Sequence, residues 1–220
     1  QLAIQDNSTI TNPQALKLVF EKLPGSKIEP VLIDKLSILC KVNDNMAQIL
    51  NADGPKYIIS RVDAIQDEIN RNKLLDLYKM ICKFSFNVSL FYSTISSIRK
   101  PQLAIPNKIL NIWNSLLLDD IKTQKERSLV IQVMGSSQCG PTILPLFRKL
   151  NGCPKCINTD TFCPNCGALD QTEGTNYISL ILQILGNLLS ASKAFNHTFL
   201  SLRLPNILVE FISQVKPIFR

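Results

Sequence analysis

Four cysteines packed into residues 153–166 are the first chemistry this sequence offers. The segment reads CPKCINTDTFCPNC and is followed by Gly167. Its spacing, C-x2-C-x6-C-x2-C, lets Cys153, Cys156, Cys163 and Cys166 surround one tetrahedral Zn²⁺. Each C-P-x-C turn points two sulfurs and several backbone N–H groups toward one spot, which favours the deprotonated, metal-binding thiolate. Four thiolates leave no open coordination position for water, so the expected role of the metal is structural. Two disulfides in an oxidising compartment, or four free thiols on a loop, are the competing readings. A thioredoxin-type redox pair would need a strand-to-helix setting, which the flanking sequence lacks.

Little else in the chain has the composition of an active site. His197 is the single histidine, and beside Asn196 it reads as a capping or surface residue at a helix start. A Ser–His or Cys–His nucleophile pair would have to use it. Gly-x-Gly-x-x-Gly and the phosphate-loop pattern do not occur. Asp119-Asp120 reads as a helix end or N-cap, and Trp113 falls in register with an apolar helix face. The expectation is a chain without catalysis or a small-molecule substrate.

The elements that must position these residues are helical almost throughout. Apolar residues recur at helical spacing over 30–42 (Val31, Ile33, Leu36, Leu39, Cys40), 69–84 (Ile69, Leu74, Leu77, Met80, Ile81, Phe84) and 107–118 (Ile109, Leu110, Trp113, Leu116, Leu117). Two further helices are predicted over 127–134 and 177–189. No alternating runs bounded by tight turns occur, so no sheet is predicted. Helix breakers fall between the periodic runs, among them Pro24-Gly25, Gly54-Pro55, Pro101, Pro106 and Gly140-Pro141. The apolar stretches fall short of the roughly 20 residues that span a bilayer.

The chain has 220 residues, 45% of them apolar and 19% charged, an ordinary balance for a folded protein. Its formal charge of +7 comes from 24 basic and 17 acidic side chains. The lysines are scattered as ones and twos, the pattern of a solvated face, although nucleic acid or an acidic partner would also suit the excess. Cys40 and Cys82 sit inside apolar helical runs as small buried hydrophobes. With an odd cysteine total, this points to a reducing compartment, cytoplasmic or nuclear. Three sequons, at Asn7, Asn87 and Asn196, point weakly the other way. The chain starts at Gln1 with no basic-then-apolar leader, and the expectation is a piece of a longer protein.

Three places share one layout of apolar helix, polar step with Asn, short helix and further helix. They are residues 36–62, 77–95 and 185–212, marked by Asn45, Asn87 and Asn196. The segment NDNMAQILNADGPKYIISRV resembles the signature of armadillo repeats, three-helix units that stack into a right-handed solenoid. There a short helix ends at a glycine and the next begins at once. Gly54 suits the sharp turn because it lacks a Cβ, and Pro55 suits a helix's first turn. LGNLLSA resembles the end of the family's long third helix. The resemblance extends over roughly residues 14–217. FCPNCGA in turn is similar to the knuckles of zinc ribbons, although six residues between knuckles is short for a ribbon.

The resemblance implies an all-α, right-handed armadillo- or HEAT-like solenoid. Its expected domains are repeats over 1–152, a zinc-stapled four-cysteine loop over 153–175 and a terminal repeat over 176–220. In family members that bind extended peptides, an asparagine ladder lines the third helices, because a carboxamide can pair with a peptide backbone. Aligned by the L-x-N-L pattern, this chain has Ile38, Lys79, Gln132 and Asn187 there. Only Asn187 matches, and Gln132 can substitute. Lys79, Gln132 and Asn187 are thus the candidate partner-binding residues, and a folded or helical protein is a better expected partner than an extended peptide. The expected function is a protein-binding scaffold within a larger protein. The alternative is a nucleic-acid-associated module using the basic surface and the zinc loop.

Overall fold

A computed structural model describes residues 4–5, 9–10, 12–22, 24–98, 104–118, 124–136, 138–139, 142–143, 171–201, 205–206 and 209. Among the described residues the chain is all-α apart from one minimal strand pair. Strands β1 (Ile4–Gln5) and β2 (Thr9–Ile10) pair antiparallel, Ile4 opposite Ile10. The helices are α1 (Pro13–Lys22), α2 (Glu29–Leu39), α3 (Asn43–Asn51), α4 (Gly54–Ala64), α5 (Glu68–Phe84), α6 (Val88–Ile98), α7 (Ala104–Leu117), α8 (Gln124–Met134), α9 (Gln171–Ala191) and α10 (Lys193–Ser201). Two compact units comprise Gln1–Ile112 and Trp113–Arg220.

In the first unit α4 packs against α1, α3, α5 and α6, while α2 packs on α5. Ile58 and Val62 of α4 and Leu74, Tyr78 and Ile81 of α5 are fully buried. Burying each such side chain contributes about 1.5–3 kcal/mol before the entropy of ordering is counted. Phe20 of α1 stacks on Tyr57 of α4 with ring centroids 4.7 Å apart. The helix ends follow local rules. Asp67 caps α5 by accepting from the Asn70 N–H at 2.9 Å, and Asn87 caps α6 by accepting from the Leu90 N–H at 2.9 Å. Proline occupies the first turn of both α2 and α4.

The turn between α3 and α4 divides its needs between two residues. The left-handed residue is Asp53 (φ 61°), not Gly54. Aspartate tolerates this region better than most residues, and its carboxylate pairs with Lys17 at 2.9 Å. Gly54 is required for close approach instead. A Cβ there would lie 2.6 Å from the Ile49 carbonyl oxygen and closer still to Ile49 Cγ2.

Most predicted core positions are buried, including Ile33, Leu36, Leu39, Cys40 and all five named residues of α7. Met80 is half-buried and Phe84 is 38% exposed, and Val31 and Ile69 lie further out still. They are 55% and 68% exposed, because each lies on the arc of its helix opposite the buried residues. His197 is exposed and lies within α10 rather than at its start.

The three marker asparagines also serve unlike purposes. Asn45 is buried and ties β2 to the end of α2, accepting from the Ile10 N–H at 2.9 Å and donating to the Leu39 carbonyl at 3.2 Å. Asn87 is an exposed cap, and the half-buried Asn196 lies within α10. The shared asparagine marker therefore does not correspond to a shared side-chain role.

Cys40, Cys82 and Cys139 are buried, free thiols. Burial pushes the Cys40 and Cys82 thiols up to about 12, which removes the reactive thiolate near neutrality. A thiol reagent applied to the native chain is therefore expected to leave these three unmodified, and all three should react once denaturant is added. Mass mapping of the labelled peptides checks this, and rapid native labelling of Cys82 would contradict the packing of α5.

Candidate partner-binding surface

The four cluster cysteines, Cys153, Cys156, Cys163 and Cys166, lie outside the described residues, as do Asp119-Asp120 and the Gly140-Pro141 turn. Among the described residues no group of three or more His, Cys, Asp or Glu side chains could hold a metal.

Lys79 belongs to the first unit, half-buried on α5, where it makes no ion pair among the described residues. Gln132 and Asn187 belong to the second unit. Gln132 is exposed on α8, whereas Asn187 is half-buried on α9. In that unit α8 packs against α9 and α9 against α10. At Gly135, just past α8, a Cβ would come 2.5 Å from Ser192 Oγ, the hydroxyl that caps α10 by accepting from the Phe195 N–H at 3.1 Å.

Asn187 forms part of a row of uncharged polar groups. Ser179, Gln183 and Asn187 recur every four residues along α9 and so share one face. Gln183 Nε2 donates to Ser179 Oγ at 3.2 Å. Asn114 of α7, only 7% exposed, donates through Nδ2 to Gln183 Oε1 and receives Asn187 Nδ2 on Oδ1 at 3.5 Å. That last distance is at the outer limit of a hydrogen bond, so the Asn187 amide is loosely held and can exchange Asn114 for another acceptor. Carboxamides neither gain nor lose protons across the physiological range. What this row can do is pair donors and acceptors with a partner, not move protons. Sequence reasoning misses Asn114 and Gln183. The four-residue spacing of polar groups on α9 is a signal for Gln183, but nothing in the sequence links Asn114 to it.

A more strongly held polar cluster lies in the first unit. Glu29 is 4% exposed yet accepts four hydrogen bonds. They come from Arg61 Nε at 2.6 Å, Arg61 Nη2 at 2.9 Å, Tyr57 Oη at 2.9 Å and the Gly25 N–H at 2.8 Å. Burial works to raise the Glu29 carboxyl, but the bonds from Arg61, Gly25 and Tyr57 outweigh it and hold the group below its ordinary value. With every acceptor filled, Glu29 has no capacity left for a substrate, and its role is to tie the turn before α2 to α4.

No protein-family model, curated protein or solved structure matches the chain. No helix among the described residues is long and apolar enough to cross a membrane.

Proposed function

We propose that this chain is a non-catalytic protein-binding scaffold of armadillo-like helical repeats, part of a larger protein, with a loop before α9 stapled by structural Zn²⁺ on Cys153, Cys156, Cys163 and Cys166. The observation that carries this reading is the amide row of Ser179, Gln183 and Asn187 with Asn114, a strip of uncharged donors and acceptors suited to recognition. Two pairings support the repeat architecture. α1 lies against α4 and α2 against α5, the offset expected when a three-helix unit stacks on its successor. A folded or helical partner fits better than an extended peptide, because Lys79 and Ile38 stand where a ladder would need carboxamides.

The nucleic-acid alternative draws on the +7 charge. Several basic side chains, however, are already engaged: Lys17 with Asp53, Arg61 with Glu29, Lys73 with Asp34 and Lys108 with Glu68. Pairing occupies these four cations without changing the net charge, and the protein reading is favoured by the scatter of the remaining lysines as ones and twos.

The test is an affinity pull-down of the tagged chain from cell extract with mass-spectrometric readout. It is run beside Gln183→Ala/Asn187→Ala and Cys163→Ser/Cys166→Ser variants whose fold is checked by circular dichroism. A protein partner retained by the parent and lost from the amide variant supports the reading. Partners released by nuclease, or with affinity falling steeply as salt rises, support the nucleic-acid alternative instead. The same preparation is expected to carry about one equivalent of zinc by elemental analysis, absent from the cysteine variant. Zinc-free parent protein with an unchanged melting curve would remove the metal from the proposal.

A further inference from the structure

Helix α2 is apolar on two faces. Leu32, Ile33, Leu36 and Leu39 point inward and are buried, yet Ile28, Val31, Ile38 and Val42, in α2 and at its two ends, are 58%, 55%, 53% and 45% exposed. A surface helix ordinarily turns polar residues outward, and a helix apolar all round is ordinarily covered on both sides. Positions 28, 31, 35 and 38 follow steps of three, four and three, the spacing of a helix-pairing seam, and Val42 lies beyond the end of the helix as the extended N-cap of α3. From Ile28 to Ile38 the strip extends for roughly 15 Å, at 1.5 Å of rise per residue.

The charges on this face are one-sided. Lys27, Lys35 and Lys41 are exposed and make no ion pair among the described residues. The carboxylate on this face, Asp34, is taken by Lys73 of α5. Lys35 occupies the middle of the seam, flanked by Val31 and Ile38. That position decides between occupants. In a two-fold pairing of this strip with its own copy, Lys35 would meet Lys35, a like-charge contact that costs stability. On a lipid surface the central ammonium would be pressed toward the acyl region, whereas interfacial helices keep lysines at the border of the apolar face.

We propose that the outer face of α2, formed by Ile28, Val31, Lys35 and Ile38, docks an amphipathic helix of another protein that carries a carboxylate midway along its apolar seam. This inference rests on the protein-binding reading and names a surface and partner chemistry for it. The partner helix lays its apolar side chains between those of α2 and sets its central Asp or Glu against Lys35. The match selects for opposite charge as well as shape.

The experiment uses the full chain and a fluorescent designed peptide of about three heptads, with leucine at the seam and one central glutamate. A twin peptide carries lysine at that position. By anisotropy the glutamate peptide is expected to bind at least about tenfold more tightly than its twin, one factor of ten corresponding to about 1.4 kcal/mol. Lys35→Glu is expected to invert the preference, and Ile38→Asp or Val31→Asp to abolish both. All three positions are exposed, so circular dichroism and the melting curve should not change. Equal binding of the two peptides, no binding of either, or no effect of Lys35→Glu overturns the proposal. So does an Ile38-dependent dimer in sedimentation, or Ile38-dependent attachment to phosphatidylserine vesicles without peptide binding. If the peptide is ignored while partners dependent on Gln183 and Asn187 persist in pull-down, the α2 strip alone is wrong. Loss of both removes the scaffold reading itself.

Discussion

Glu29→Ala is expected to unfold the first unit well below the parent's melting temperature. The substitution removes a carboxylate that is 5% exposed and leaves Arg61, 15% exposed, with a largely desolvated and uncompensated guanidinium. It also strands the Tyr57 hydroxyl and the Gly25 N–H. Breaking one side of such a pair costs about 3–5 kcal/mol. In a unit of this size that is a melting shift on the order of 15 °C or more, at roughly 4–8 °C per kcal/mol. Replacing both partners, as in Glu29→Leu/Arg61→Leu, should recover much of the loss, because the penalty comes from the orphaned charge and not from the missing attraction. Thermal melts of the two single variants and the double variant check this. An additive double variant would mean that the pair does not act as a unit.

The same carboxylate gives the first unit an acid-sensitive contribution. Its folded pKa lies below the unfolded value of about 4.5, so the unfolded chain takes up the proton first as pH falls. The stabilisation is fully present above that value and is lost as pH drops through the folded pKa. The parent should therefore lose stability below about pH 4.5 more steeply than the double leucine variant does. Urea midpoints at pH 7, 5 and 3.5 would register the difference, with urea itself reporting the change in stability.

Gly54→Ala is the second large effect. The added methyl cannot be accommodated by a rotamer change alone, because one of the atoms it meets, 2.6 Å away, is the main-chain oxygen of Ile49. Relief requires α3 and α4 to separate at their junction, where Ile49 and Ile58 are fully buried. Overpacking of this kind costs about 1–3 kcal/mol and more where backbone must move. Asp53→Gly supplies the contrast. It places glycine where φ is positive, so the backbone cost is small and the main loss is the exposed, solvent-screened pair with Lys17. If the two variants melted alike, the close approach at Gly54 would not be what shapes this turn.

How much of this is legible in the residues follows from the range of each interaction. Helices are readable because burial on one face imposes the three-and-four spacing locally. All five apolar positions named in α7 are buried, and so is the core set of α2 apart from Val31. Val31 and Ile69 mislead for the same reason that they matter. They are apolar at helical spacing but lie on the outer arc, and a hydrophobic count does not say which of two apolar faces meets the core. The need for a bare Cα at Gly54 is readable, whereas the transfer of positive φ to Asp53 is not, since Asp and Gly both tolerate it. The tie between Glu29 and Arg61 spans 32 residues, and nothing local to either residue announces it. Asn187 is reached through family resemblance, but its engagement with Asn114 spans 73 residues and requires three-dimensional placement. The zinc reading of Cys153, Cys156, Cys163 and Cys166 concerns residues outside those described, and stands on spacing and thiolate chemistry.

The pairing of α2 with α5 has a bearing on how the chain is made. During synthesis α2 emerges with apolar side chains on both its inner and outer faces, and the helix that covers its inner face is complete only at Phe84. At about 5–20 residues per second, the stretch from Leu39 to Phe84 takes roughly 2–9 s to leave the ribosome. Throughout that interval the nascent helix offers Leu32, Ile33, Leu36 and Leu39 to whatever passes. A holding chaperone on the emerging polypeptide, or a slow codon run placed after α5 and not before it, would decide how much of the product folds and how much aggregates.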